Sequence, residues 1–375
     1  MSLKGPPLFV MAGGGTGGHG IPSIAVAREL RRLGFDVLFV GTERGAESRL
    51  VPAAGFRLEK IRVGGIKNLG IATRLVSLWR LLVESANQIV AFRQWRPVAV
   101  FSMGGYVAGP PMVAALVRRV PIVVMEPNAK PGLTNRRIAP WVKRALISFP
   151  ATARFFPDGR TELTGLPVRE EFFAIETPAA SRWFTVLITG GSQGSRTLNE
   201  AARAAWPKFR EQGIPVRLIH QTGPGMYQAI AAEFAKTGLP GEVSAFITDM
   251  PAAFAQADLV VCRAGAGAVS ELAAAGRPSV LIPFPFAADQ HQFHNAEALR
   301  DAGAAILALD REWTGDLFAE LVRSLYGDPA RLKSMSEAAR KLAHPGAARR
   351  AAEILVETSG MPVKNIDTEI PQSKQ

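Results

Sequence analysis

Cysteine is all but missing from this chain. Cys262 is the only one in 375 residues, so no intrachain disulfide can form and a stapled secreted scaffold is excluded. Long apolar runs are missing too: no stretch reaches the roughly 18–20 uninterrupted apolar residues that a membrane-spanning helix needs. The folded body lacks an Asp-x-Asp motif to hold a metal against a diphosphate, so neither a metal nor another cofactor is expected. Zinc-finger spacing and aromatic-interleaved RNA motifs are also absent, and nucleic acid is not an expected partner. Met1 to Pro7 is too short to hold a signal peptide before the first strand. Together these absences point to a cytoplasmic enzyme.

What remains is a chain of two-domain length with 47% apolar residues, enough for large cores. Its charge is lopsided. Residues 1–168 carry 23 Lys+Arg against 9 Asp+Glu, a net +14, while the remainder carries 21 against 23, a net −2. The basic half is either a soluble arginine-rich face or a surface for an anionic partner. An anionic membrane ranks above nucleic acid as that partner.

Strand candidates in the first half are 8–12, 36–41, 59–63, 97–102, 121–126 and 144–149. In the second half they are 184–189, 216–220, 243–247, 258–262, 279–283 and 305–309. These runs are rich in Val, Ile, Leu and Phe with little alternation, as expected of parallel sheets covered on both faces. Helical stretches fall between them, among them Ile21–Leu33, 196–210, 268–275 and 317–326. The expected class is therefore α/β, with the βαβ plan run twice. The boundary falls near Leu163 to Val168, and Glu170 to Arg182 reads as a charged, irregular connector. The tail 359–375 is polar, holds Pro362 and Pro371, and is expected to be disordered.

Two glycine clusters sit about 175 residues apart, each ending a strand and opening a helix: Gly13-Gly14-Gly15-Thr16-Gly17-Gly18-His19 and Gly190-Gly191-Ser192-Gln193-Gly194-Ser195. Such loops let backbone lie close to a ligand, and the helix N-terminus beyond suits a phosphate. Paired in two halves, they suggest two nucleotide-type domains with a cleft between them. A third glycine turn, Gly104-Gly105-Tyr106 within 103–111, belongs at the same sheet edge as the first and suggests a phosphate pocket for the acceptor.

His19 follows the first loop. It reads either as a base for a substrate hydroxyl or as a helix-terminal histidine capping backbone. In the second half, Ala266, Gly267, Ala268 and Val269 precede Ser270 and Glu271, which are expected to begin a helix. Glu271 is either an acceptor for a ribose diol or an acid in a first helical turn. The dense polar run 283–295 reads as a sugar-reading surface or, through Asp289, His291 and His294, as a metal site. Residues 66–96 form an insert with Ile71, Leu75, Leu78, Leu82 and Ile89 at helical spacing, joined by Trp79, Phe92 and Trp95. Lys67, Arg74, Arg80, Arg93 and Arg96 flank them, and Trp141 to Arg144 lies ready to join the same patch. This is a helix packed on the sheet or a cation-rimmed membrane patch.

The two glycine loops, the Gly104-Gly105-Tyr106-Val107 turn and the Ser270-Glu271, Asp289, Gln292 and Asn295 stretch together resemble the MurG family. These are N-acetylglucosaminyltransferases of bacterial cell-wall synthesis, and the resemblance covers about residues 8–357. It implies a GT-B fold of two Rossmann-like, doubly wound domains facing a cleft, with a C-terminal helix returning to the first. On that reading 1–168, joined by 345–358, is the acceptor and membrane-facing domain, and 169–344 binds the donor.

The activity implied is inverting transfer of GlcNAc from UDP-GlcNAc to the C4 hydroxyl of MurNAc in lipid I, giving lipid II, on the cytoplasmic face of the inner membrane. By similarity Ser192 meets the diphosphate, Ile247 the uracil and Glu271 the ribose, with Arg169 also at the donor site. Asn128 and Gln292, or one of its neighbours Gln290 and His291, meet GlcNAc hydroxyls, while Thr16, Gly17 and Gly18 close the cleft. Around Asn128 this chain reads Met125-Glu126-Pro127-Asn128 where the family usually has His-Glu-Gln-Asn. Other readings of the same fold are a transferase with a different acceptor, a UDP-GlcNAc 2-epimerase, and a non-catalytic membrane scaffold that senses UDP-GlcNAc. A dehydrogenase fits less well, because the second strand candidate, 36–41, does not itself end on the usual acidic residue, and Glu43 comes only after it.

Overall fold

The structure is a computed structural model. It describes residues 5–14, 17–43, 45–64, 71–176 and 181–362, with 71–75 described as backbone only. Two compact units result: unit 1 runs to Pro167 and resumes at Gly346, and unit 2 spans Val168–Pro345.

Unit 1 runs β1 (Leu8–Gly13), α1 (Gly17–Arg32), β2 (Asp36–Thr42), α2 (Glu47–Ala53), β3 (Arg57–Ile61), α3 (Ile71–Trp95) and β4 (Ala99–Gly104). It continues with α4 (Gly109–Arg118), β5 (Ile122–Glu126), α5 (Leu133–Ile138), β6 (Arg144–Ile147) and β7 (Thr161–Leu163). Among the described residues the sheet has the order β3-β2-β1-β4-β5-β6-β7, all parallel. Every position of β4 and β5 is buried, which is why these strands carry no apolar–polar alternation. The order reverses at β1, so the β1 and β4 ends sit side by side. Such a switch point is where open α/β sheets bind ligands.

Unit 2 opens with the short α6 (Glu170–Phe173), then β8 (Phe184–Thr189), α7 (Arg196–Glu211), β9 (Val216–Gln221), α8 (Tyr227–Phe234), β10 (Gly241–Ser244) and α9 (Met250–Gln256). Next come β11 (Leu259–Cys262), α10 (Ala266–Ala275), β12 (Ser279–Leu281), α11 (His291–Asp301), β13 (Ala305–Leu307), α12 (Gly315–Tyr326) and α13 (Pro329–Lys341). Its sheet order is β10-β9-β8-β11-β12-β13, again parallel and again reversing beside the strand that carries a glycine loop. Val186, Ile188, Val261 and Ile282 meet Leu198, Trp206, Phe209 and Phe318 from the helices in one core. The chain then returns to unit 1 as α14 (Ala347–Ser359), which packs on α1. Arg350 of that helix grips Glu162 in β7 at 2.6 Å.

Three expectations need correcting. The 170–182 segment is not an irregular connector throughout: α6 forms there and Phe172 is fully buried, edge-on against Phe254. Ser270 and Glu271 do not begin a helix. The helix-favouring alanines carry α10 back to Ala266, with Gly265 extended before it, so Glu271 stands in the second turn and cannot act on the N-terminal dipole. The tail expectation also started too early, since α14 runs to Ser359; residues 363–375 lie outside those described.

Candidate functional site

In unit 1 the first loop leaves β1 and enters α1 within a few residues. Thr16, with Gly15, lies outside the described residues; Gly17 and Gly18 open α1. His19 is half-buried, and its Nδ1 lies 3.3 Å from the Gly14 carbonyl. A carbonyl only accepts, so Nδ1 carries the proton, and in the neutral ring Nε2 is the basic nitrogen. One ring nitrogen thus serves the backbone, as the capping reading expects.

The third glycine turn comes to the same place. Gly105 has φ +78°, a left-handed backbone, and a Cβ there would come within 3.3 Å of the Gly14 carbonyl and 3.6 Å of His19 Nδ1. Tyr106 beside it is exposed, and Thr134 donates to the Gly105 carbonyl at 3.0 Å. The first and third glycine turns thus meet at the β1–β4 switch point, with His19 against both.

Two carboxylates that sequence reasoning passed over hold this ground. Glu126, buried at the end of β5, accepts from the Asn128 main chain at 3.0 Å and side chain at 3.1 Å, from Gly132 at 3.1 Å and from Asn135 at 2.9 Å. Burial pushes its pKa up, and these hydrogen bonds pull it part of the way back. Asn128 is therefore anchored through its own Nδ2. Glu47, buried in α2, accepts from the Thr42 N–H and hydroxyl, both at 2.8 Å. It packs so close to the first loop that a Cβ on Gly14 would fall 2.4 Å from its carboxyl carbon. An acid does reach the tip of β2, supplied from the next helix and turned onto Thr42 rather than offered to a ribose.

In unit 2 the second loop joins β8 to α7. Ser195 caps the helix by accepting from Leu198 N–H, and Ser192 is exposed two residues after Gly190. Gly194, at φ +75°, allows the loop to press on β9: a Cβ there would meet the Thr222 carbonyl at 1.8 Å. Ile247 is half-buried after β10. Ala266, Gly267, Ala268 and Ser270 are half-buried along α10, whereas the Val269 side chain is in the core. Glu271 is half-buried; burial pushes its pKa up to about 7 while the charge of Arg169 pulls it down. Arg169 stacks over Phe172 at 5.0 Å.

The polar run after β12 is knit to its own backbone. Gln292 accepts from the Phe284 N–H at 2.9 Å, His291 Nδ1 donates to the Ala288 carbonyl at 2.7 Å, and His294 faces Glu297 at 3.0 Å. Among the described residues no three His, Cys, Asp or Glu side chains gather to hold an ion. Asp289 and Gln290 both take left-handed backbone, φ +53° and +57°, an uncommon pair for residues with side chains. Buried Asn295 donates to the Ala264 carbonyl at 3.1 Å and so ties α11 to the turn before α10.

Arg263, which the sequence did not single out, is the hub. It donates to the Ile282 carbonyl at 3.1 Å, the Pro283 carbonyl at 3.2 Å, the Asp310 carboxylate and the Ser195 hydroxyl at 2.8 Å. The only signal for it was an arginine among small residues just past a strand. Cys262, one residue earlier, is buried with its thiol pushed up to about 12, so it is inert.

The insert splits into two parts. Phe92 is buried in the core of unit 1, with Ile89 and Trp95 packed against it. Nearer its start, α3 exposes Trp79 (67%) and Leu82 (58%), and Trp141 is exposed at 57%. The side chains of Ile71, Arg74 and Leu75, and the whole of Lys67, fall outside the description. No described helix is long and apolar enough to cross a membrane.

Comparison with known proteins supplies the family. The glycosyltransferase family 28 N-terminal domain matches residues 9–147 and its C-terminal domain matches 185–351. The chain is 60% identical over 351 residues to a UDP-N-acetylglucosamine--N-acetylmuramyl-(pentapeptide) pyrophosphoryl-undecaprenol N-acetylglucosamine transferase from Solibacter usitatus, covering 94% of this chain and 96% of that one. A Myxococcus xanthus protein of the same name is 40% identical, with 93% and 92% covered. The crystal structure of Acinetobacter baumannii MurG superposes with a TM-score of 0.77 at 31% identity, covering 94% of this chain and all of that one. With its two Rossmann-like units in the GT-B fold, the chain belongs to the MurG family of glycosyltransferases.

Proposed function

We propose that this enzyme catalyses an inverting displacement at the anomeric carbon of UDP-GlcNAc, with the C4 hydroxyl of the MurNAc unit of lipid I as nucleophile. It is a UDP-GlcNAc-dependent N-acetylglucosaminyltransferase of peptidoglycan synthesis, converting lipid I to lipid II. His19 is the base. The observation that carries this role is the place of His19 where the first and third glycine turns of unit 1 meet, with its Nδ1 on the Gly14 carbonyl.

Unit 2 holds the donor. The Ser192 loop and the first N–H groups of α7 stabilise the charge that builds on departing UDP, so no cation is required for that step. Ile247 meets the uracil, Glu271 the ribose diol, and Arg169 supplies positive charge nearby. Asn128 and one of Gln290, His291 and Gln292 meet the GlcNAc hydroxyls, and the first residues of α10, 266–270, bring main chain close to the sugar. By the family resemblance Thr16, Gly17 and Gly18 also serve the donor.

Unit 1 holds the acceptor, with Gly104, Gly105 and Tyr106 at its diphosphate. Its net positive charge and the exposed Trp79, Leu82 and Trp141 fit a peripheral position on the anionic cytoplasmic face of the inner membrane.

The test is one incubation of purified protein with UDP-GlcNAc and a lipid I analogue, with and without EDTA. The reading expects UDP release and a GlcNAc–MurNAc product in both arms. Conversion of UDP-GlcNAc without acceptor would mark a 2-epimerase instead. Donor binding without UDP release would mark a scaffold.

A further inference from the structure

Beneath the second glycine loop lies a side chain that none of the contacts above uses. Gln221 ends β9 and is buried. Its Nε2 donates to the Thr189 hydroxyl at 3.0 Å and to the Gly191 carbonyl at 2.9 Å. Its Oε1 accepts from the Ile247 N–H at 2.8 Å. The Thr189 hydroxyl also accepts from the Gly191 N–H at 3.2 Å, so Gly191 is held through both its N–H and its carbonyl. A single amide thereby bridges the end of β8, the loop that carries Ser192 and the segment after β10. Both amide functions are needed: asparagine is one methylene shorter, and an ionised glutamate cannot donate.

The neighbouring residues stiffen the same strand end. Asn199 of α7 donates to the Thr222 carbonyl at 2.9 Å and accepts from His220 Nε2 at 2.9 Å. Burial pushes the His220 pKa down to about 4, so the ring stays neutral in this role.

We propose that Gln221 is a positioning residue for nucleotide recognition. It fixes the main chain at Ile247 relative to the loop at Ser192, and so sets the spacing between the uracil and diphosphate subsites. The inference rests on the donor site proposed above. It has a consequence for base choice. The Ile247 N–H is spent on Gln221, so a base meets the carbonyl of that segment. A carbonyl accepts from the N3–H of uracil and repels the unprotonated N3 of cytosine.

Calorimetric binding of UDP, CDP and uridine at pH 8, with steady-state kinetics on UDP-GlcNAc, tests this. Gln221→Met should weaken UDP by about tenfold or more and narrow the UDP-over-CDP preference by a similar factor. Its donor KM should rise in step, with kcat at saturating donor falling far less. Gln221→Glu still accepts from Ile247 but cannot donate to Gly191. It should keep the UDP-over-CDP preference while losing the advantage of UDP over uridine.

Wild-type UDP affinity and base preference in Gln221→Met would overturn the proposal, as would a fall in kcat at unchanged donor KM. Should that variant not fold, Gln221→Glu decides: an unchanged ratio of UDP to uridine affinity overturns the proposal. Wild-type protein that binds no UDP would sink the donor site itself, a separate failure.

Discussion

Asn135 donates its side-chain amide to the Glu126 carboxylate at 2.9 Å, and both residues are buried in unit 1. The same Asn135 nitrogen reaches the Met125 carbonyl at 3.2 Å. The pair therefore pins α5 to the end of β5, and α5 in turn holds the Gly105 turn through Thr134. Removing the carboxylate takes the acceptor from the buried Asn135 amide and from three part-buried donors on Asn128 and Gly132. Glu126→Ala should cost about 3–5 kcal/mol of unfolding free energy, read by denaturant titration. Glu126→Gln, which keeps the volume and one acceptor, should cost less than half of that.

His19→Ala tests the base. A positioned general base contributes typically 10²–10⁴-fold, so kcat should fall by about that factor. The donor KM should move by no more than about threefold, because the histidine acts on the acceptor. Near-normal turnover would remove His19 from the mechanism.

Glu271, proposed to meet the ribose, should make donor binding depend on pH. Its carboxyl titrates near 7 in the folded chain against an ordinary value of 4.5, so it binds its proton more tightly folded than unfolded. Its contribution to stability is therefore full below about pH 4.5 and is lost as pH rises through about 7. The loss is on the order of 1–3 kcal/mol. Glu271→Gln should flatten the fall in Tm over that interval. The ionised form is the better acceptor for a ribose diol, so UDP affinity should climb across the same range in wild type and stay level in the variant.

The exposed face of α3 should bind lipid. Trp79→Ser with Leu82→Ser removes two large apolar side chains, and their burial is worth about 1.5–3 kcal/mol each. Co-sedimentation with vesicles containing anionic lipid should fall by at least about tenfold, while turnover of a short-chain, water-soluble acceptor stays unchanged. Equal binding by the double variant would place the lipid contact elsewhere.

Fold class was legible because buried parallel strands write themselves as Val- and Ile-rich runs. Phe184–Thr189 is read to the residue, and Asp36–Thr42 to within one. The three-residue β7 was missed because Thr161-Glu162-Leu163 at a sheet edge has no apolar run to show. The helix α11 hid inside His291–Asp301, whose polar residues look like a loop when its packing partners are unknown. Among site residues, the glycines were visible because tight turns demand them. Gln221, Arg263, Glu47 and Glu126 were not. A buried polar side chain is explained by its partners, and those of Arg263 lie at Ser195, Ile282, Pro283 and Asp310, far apart in the chain.

The returning α14 has a consequence for how the molecule is made. Unit 2 is inserted into unit 1, so a ribosome releases all of 168–345 before it delivers the last helix of the lobe it began with. Until then the face of α1 that α14 covers stays bare, and Glu162 waits for Arg350. A nascent chain stopped near residue 345 would thus carry a finished second lobe on an unfinished first one, with the apolar seam open to chaperones.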